Sequence, residues 1–259
     1  MPRVSAAVLS AVFCLLGFCC AAEETPPAAV PEKAPNAVDL LVRVNEVYRN
    51  CASYRDTGTA GTIFFEKGKE SFRSKLTFTT AFRRPDRFRF EYKADMLENM
   101  PGGGGLLMKA MGLFVNREDR YIVHSDASGV RTWWSINKPK EQKEESLDMA
   151  LAGATGVSKG TAHNIPALLF PWGVTGRKVT FLKEPVLLED AAQDGFPCHR
   201  ISEGKPEAGG GTVLWIDKAS LLIRRIDEKS TLDSGTTTEE TILHKPETNC
   251  EIPDRELAF

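Results

Sequence analysis

A period-two alternation from Glu70 to Lys93, ESFRSKLTFTTAFRRPDRFRFEYK, constrains the fold of this chain more than any other stretch. Phe72, Leu76, Phe78, Phe82, Phe88, Phe90 and Tyr92 fall on even positions; Arg73, Lys75, Thr77, Thr79, Arg87, Arg89, Glu91 and Lys93 fall on odd ones. Side chains alternate across a strand, so the pattern sets an aromatic row on one face of a sheet and a charged row on the other. Arg84-Pro85-Asp86 interrupts it, because proline fixes φ, removes a donor and pushes its predecessor toward extended geometry. The stretch therefore predicts two long antiparallel strands joined at a corner, with one apolar face that another layer or a ligand must cover. Phe78, Phe88 and Phe90 are expected on that face, with Arg87 and Arg89 outside it.

The amino terminus reads as an export signal over residues 1–22: Arg3, an apolar stretch from Val4 to Cys20, and a small-x-small site, Cys20-Ala21-Ala22, before Glu23. A lipid-anchored start at Cys19 or Cys20 is the alternative, although Phe18 and Cys19 stand where a small residue precedes an acylated cysteine. Residues 23–36 contain four prolines and predict a flexible leader. Residues 37–259 then suit one large domain or two small ones with an ordinary core, 42% of the whole chain being hydrophobic and 26% charged. The formal net charge of -2 lacks the basic excess of nucleic-acid binders, so no nucleic-acid partner is expected. Export leaves Cys51, Cys198 and Cys250 in an oxidising compartment, where one disulfide and one thiol, or no disulfide, are both open. Their spacings match no zinc pattern and no C-x-x-C motif, and neither a metal nor another cofactor is expected.

Asn36 is placed to cap a helix whose apolar positions Val38, Leu41, Val44, Val47, Tyr48 and Cys51 recur at helical spacing. Ser53 to Phe65 predicts the first strand. Ala94 to Asn116 holds four of the six methionines and the run Gly102 to Gly105. It lacks the Gly-Lys-Ser/Thr element of a phosphate loop and reads either as a loose excursion or as a movable apolar flap. Arg120 to Ser135 predicts a hairpin, Asn137 to Glu145 a charged exposed tract, and Ser146 to Ala154 and Thr161 to Phe170 two short helices. Between the helices, Gly156-Val157-Ser158-Lys159-Gly160 matches the G-x-S-x-G nucleophile pattern. A nucleophile elbow leaves a buried strand, whereas this turn leaves a helical stretch, so Ser158 is read as a turn residue and the chain as non-catalytic. Further strands are expected at Lys178–Lys183, Pro197–Glu203, Gly211–Lys218, Leu221–Thr231 and Thr236–His244.

The succession of signal, amphipathic helix, Arg84-Pro85-Asp86-Arg87-Phe88-Arg89-Phe90-Glu91, and Leu214-Trp215-Ile216-Asp217-Lys218 followed by Leu221-Leu222-Ile223-Arg224-Arg225 resembles the LolA-like group of exported proteins, related to the outer-membrane lipoprotein carrier. The resemblance extends over most of residues 36–259. It implies an α+β fold in which a curved antiparallel sheet forms an unclosed β-barrel packed on a few helices, with an apolar concave face that accommodates acyl chains. The segment 94–116 is longer than the group's usual connection. On this reading the chain is an exported, periplasmic, non-catalytic binding protein for a lipid or a lipoprotein's lipid anchor, with a membrane-associated protein as a further partner. Its apolar cavity would be lined by Phe72, Leu76, Phe78, Phe88, Phe90, Tyr92, Met96, Met100, Met108 and Met111. The alternative is a periplasmic sensor or interaction module of the envelope-stress regulator type.

Overall fold

In the computed structural model, which describes residues 36–95, 118–204, 210–232 and 234–259, the alternation becomes β2 (Lys69–Arg83) and β3 (Arg87–Asp95). The two strands pair with Phe82 opposite Phe88 and Phe78 opposite Tyr92 across the Arg84-Pro85-Asp86 turn. That register keeps every even position on one face. Leu76, Phe78, Phe82, Phe88, Phe90 and Tyr92 are all buried there, and Phe72 is half-buried near the end of its strand. Arg87 and Arg89 lie on the opposite face as expected. Arg89 is nevertheless tied down there, pairing with the buried Glu91, which also receives Arg120 Nε at 2.6 Å.

The first element among the described residues is α1 (Ala37–Asn50), whose first turn is held by Asn36 Oδ1 accepting from the Asp39 amide at 2.8 Å. Leu40, Leu41, Val44 and Tyr48 form its buried stripe. Its carboxyl end meets Arg84, whose guanidinium donates to the carbonyls of Cys51 (2.8 Å), Tyr48, Arg49 and Leu169. One side chain at the strand corner thus satisfies carbonyl groups that helix ends leave without partners.

After α1 come β1 (Ser53–Glu66), β2 and β3, then β4 (Glu118–Asp126), β5 (Gly129–Trp134) and β6 (Glu141–Glu144). The helices α2 (Leu147–Thr155), α3 (Thr161–Asn164) and α4 (Pro166–Leu169) follow. The chain returns through β7 (Pro185–Gln193), β8 (Phe196–Glu203), β9 (Gly211–Asp217), β10 (Ile223–Thr231), β11 (Thr237–His244) and the short β12 (Glu247–Thr248). All of these strands pair antiparallel, in the order β6-β5-β4-β3-β2-β1-β11-β10-β9-β8-β7, with β12 beside β1. The sheet is curved and is not closed into a barrel, so β6 and β7 are its edges. β6 is four charged or amide residues, a composition that blunts an edge against further pairing.

Two strand expectations need correction. Residues 178–183 are irregular, because Val179 and Leu182 turn inward three apart while Phe181 points out. Side chains hold them in place: Thr180 Oγ1 donates to Asn45 Oδ1 at 2.8 Å, and Arg177 Nε to the Phe181 carbonyl at 3.0 Å. The strand of this region is β7 instead, an edge strand with mostly exposed side chains and no clean alternation. The charged tract 137–145 also contributes a strand, β6. Met96, Met100, Met108 and Met111, and with them the flap expectation, lie outside the described residues.

The helices cover the aromatic face, Phe170 meeting Phe82 and Phe88 edge-on at 4.8 and 5.5 Å between ring centroids. On the outer face, the chain after β12 forms a strap. Ile252 and Leu257 cover Ala81, Asp254 pairs with Arg83 and Arg87, and Phe259 lies over Arg131. Cys51, Cys198 and Cys250 are free thiols.

Candidate functional site

The strand register orders the inner, helix-bearing face into rungs that run across β9, β10, β11, β1 and β2. One rung is wholly apolar: Leu214, Ile226, Ile242, Ala60 and Leu76, each buried. Two residues further along each strand the next is wholly polar: Thr212, Glu228, Glu240, Thr62 and Ser74. Beyond it lie Ser230, Thr238, Phe64 and Phe72, the last two stacked at 5.5 Å between centroids. The inner face therefore passes from an oily interior, through a polar band, to a mouth.

Lys159 reaches this band from the turn between α2 and α3. Its backbone has φ 53°, and its Nζ donates to Thr62 Oγ1 at 2.8 Å and to Ser74 Oγ at 2.5 Å. Thr62 Oγ1 in turn donates to Glu240 Oε2 at 2.9 Å. Burial pushes the Lys159 amine below its ordinary value, the charge of Glu240 acting the other way. Burial pushes the Glu240 carboxyl up, against the Thr62 hydrogen bond and the Lys159 charge, and with the help of Glu228. Glu228, directly opposite Glu240, is likewise raised by burial; Arg177 opposes the shift and Glu203 adds to it.

A cavity of about 440 Å³ opens at this end, lined among others by Asn164, Arg177, Val179, Leu182, Glu228 and Glu240. Its size falls within the roughly 300–1,000 Å³ of small-molecule sites. The irregular segment 170–184 forms one wall and the sheet the other. Val179 and Leu182 of that wall also belong to the apolar cluster that holds Leu214 and Ile226, so the cavity adjoins the interior. Of the expected cavity residues, Leu76, Phe78, Phe88, Phe90 and Tyr92 sit in this interior under the helices, while Phe72 stands on the outermost rung. Glu228, Glu240 and Lys159 were not singled out as site residues. The signal for the two carboxylates was the same period of two, since Ile226-Glu228-Ser230 and Glu240-Ile242-His244 share one face. Lys159 carried no such signal, because a tertiary turn aims it.

Two other constellations resolve into structural roles. Ser158 is fully buried; its Oγ donates to the Thr155 carbonyl at 3.3 Å and accepts the Ala162 amide at 3.1 Å, bridging the ends of α2 and α3. His244 Nδ1 lies 2.6 Å from Asp56, which also accepts from Tyr54 at 3.1 Å and from the Lys245 amide at 2.8 Å. This pair is sealed in the core, with Phe78 edge-on to the imidazole, and it ties β1 to the end of β11. No cluster of three or more His, Cys, Asp or Glu residues suited to a metal occurs among the described residues.

The architecture has the expected form, an unclosed antiparallel sheet packed on helices. Among solved structures, the chain is similar to a chain of the Pseudomonas aeruginosa MucA/MucB complex, with a TM-score of 0.42 and 14% identity, over 86% of this chain and 60% of that one. It is similar to the Mycobacterium tuberculosis lipoprotein LppX, with a TM-score of 0.40 and 9% identity, over 84% and 97%. A LolA superfamily protein from Nitrosomonas europaea matches with a TM-score of 0.32 and 11% identity, over 87% and 99%. No protein-family model and no curated protein matches the chain. These likenesses concern the fold alone and assign no ligand here.

Proposed function

We propose that the chain is an exported, non-catalytic binding protein for an acyl-bearing ligand, a lipid or the lipid anchor of a lipoprotein, which it carries across the periplasm. The observation that supports this most directly is the adjacency of a polar-lined cavity and a continuous apolar rung on the same face of an unclosed sheet. An amphiphile fits that order. Its head group would lie against Glu228, Glu240, Arg177 and Lys159, and its chain would enter between segment 170–184 and the sheet, displacing Val179 and Leu182 from Leu214 and Ile226. Phe72 stands at the entrance, and Leu76, Phe78, Phe88, Phe90 and Tyr92 form the apolar backing of the interior. The chain gains by burial about 0.8 kcal/mol per methylene, which sets the scale for what must be displaced.

Native mass spectrometry of protein purified from its own cell tests the proposal. Co-purifying lipid at stoichiometric level is expected. A stoichiometric protein partner with no lipid would replace the carrier by an interaction module. Intact mass of the exported form tests the start: Glu23 is expected, and a diacylglyceryl mass on Cys19 or Cys20 would place the chain on a membrane instead.

A further inference from the structure

Helix α1 buries one stripe and leaves another, Val38, Val42, Asn45 and Arg49, at i, i+4, i+7 and i+11 along a single flank. Val38 and Val42 are more than half exposed. Segment 170–184 wraps along this same flank. Trp172, 86% exposed, has the Arg49 guanidinium 5.7 Å from its ring centroid, and Phe181, 70% exposed, follows Thr180, which is bonded to Asn45 one helical turn earlier. Four apolar side chains thus emerge along one strip, and the two aromatic ones are held out by an irregular segment whose Thr175 is bonded to Asp148 and His163 and whose Thr180 side chain is bonded to Asn45.

Arg49 stands beside Trp172 and Lys178 lies three residues before Phe181, while Arg177, which donates to the Phe181 carbonyl, is already paired with Glu203. Asp39 and Glu46 lie further round α1, roughly 70–90° from the centre of the strip. Aromatic rings next to basic groups suit one environment closely: the rings settle at the boundary between acyl chains and head groups, and the cations meet anionic heads.

We infer that this strip docks on the surface of an anionic lipid bilayer, with Trp172 and Phe181 entering the head-group boundary. Segment 170–184 is also a wall of the cavity, so docking brings the mouth to the membrane, where an acyl-bearing ligand can pass without crossing water. This consequence rests on the reading given under Proposed function; the docking itself does not.

The full exported chain, mixed with vesicles of phosphatidylcholine and with vesicles in which part of that lipid is replaced by phosphatidylglycerol, tests the inference by co-sedimentation and by quenching of tryptophan fluorescence with brominated lipid. Binding is expected to be stronger to the phosphatidylglycerol vesicles and to weaken with salt. Trp172→Ala with Phe181→Ala should lower partitioning roughly tenfold or more, and Arg49→Glu should remove most of the preference for anionic vesicles. Both changes lie on the surface, so an unaltered melting temperature is expected to accompany the loss. Absence of vesicle binding by the parent, or equal binding by the double variant, overturns the inference. So does a concentration-dependent dimer that the double variant abolishes, since the strip would then meet a second copy. Binding of a fluorescent fatty acid without vesicles separates the two proposals: retained probe binding with no vesicle binding sinks docking alone, and vesicle binding without probe binding sinks the acyl-ligand reading alone.

Discussion

Glu228 and Glu240 face each other across β10 and β11, and burial raises both carboxyls. The fold therefore favours their protonated forms. Their contribution to stability is full below the ordinary glutamate value of about 4.3 and is lost as pH rises through the raised folded values. Lys159 moderates this, because its charge lowers Glu240, as does the Thr62 hydroxyl bonded between them. In urea unfolding between about pH 5 and about pH 8, Glu240→Gln is expected to flatten the loss of stability relative to the parent, and Lys159→Met to steepen it. Parallel curves for all three proteins would show that the carboxylates are solvated and that the polar band is not a desolvated site. The comparison is between variants because other groups act in the opposite sense. Against the cost of burial, Asp217 is held low by the Ala219 and Ser220 amides and Arg224, and Glu91 by Arg120 and Arg89; their contribution is lost as pH falls through those lowered values.

The hairpin of β2 and β3 shows what a local pattern can specify. Each of its pairings lies within a few residues of the turn, and slipping the register by one would expose the whole aromatic row, so alternation alone identified the faces. Phe88→Glu should cost on the order of 4 kcal/mol or more, because an unpaired carboxylate would enter the core. Thr77→Glu on the exposed face should change stability by within about 0.5 kcal/mol. The reverse ranking would mean a register error. Arg89 is a poor outer-face control, since it pairs with buried Glu91. Elements without local support were not legible. Residues 178–183 look like a strand until Asn45 and Glu203, distant in sequence, fix their path. The strap after β12 was visible only as a short apolar end, yet it covers His124, whose Nε2 lies 3.0 Å from the Leu257 carbonyl. Burial lowers the His124 imidazole; Asp126 and that carbonyl oppose the shift, while Arg131 and Arg89 reinforce it. The stability it contributes is present above about pH 6.5 and is lost as pH falls through the lowered folded value. Hydrogen exchange over residues 249–259, corrected for intrinsic rate, is expected to quicken on acidification in the parent and to stay level in His124→Gln.

At the scale of the molecule the sheet has two wings, β2 to β6 and β11 to β7, and β1 joins them by pairing with β2 on one side and β11 on the other. The inner-face rungs cross this joint, so the apolar interior and the polar band each draw residues from both wings. Gly58 sits at the joint, opposite Phe78 in one ladder and His244 in the other. A Cβ there would lie 2.3 Å from the Phe78 ring and 2.3 Å from the Leu243 carbonyl oxygen. The ring is hemmed in, because Phe90 and His244 pack against it, and the carbonyl belongs to β11, the strand paired with β1 at the joint. Gly58→Ala should therefore cost on the order of 3 kcal/mol, or roughly 6–12 °C in melting temperature, by forcing ring and strand apart. Gly61→Ala, three residues along the same strand, would place its Cβ 3.7 Å from the Ser74 carbonyl oxygen, an ordinary contact, and should leave stability within about 1 kcal/mol of the parent. If the ligand site spans both wings, fatty-acid binding should fall with Gly58→Ala even at temperatures where the variant remains folded by circular dichroism, and persist in Gly61→Ala. Undiminished binding in a folded Gly58→Ala variant would confine the site to one wing.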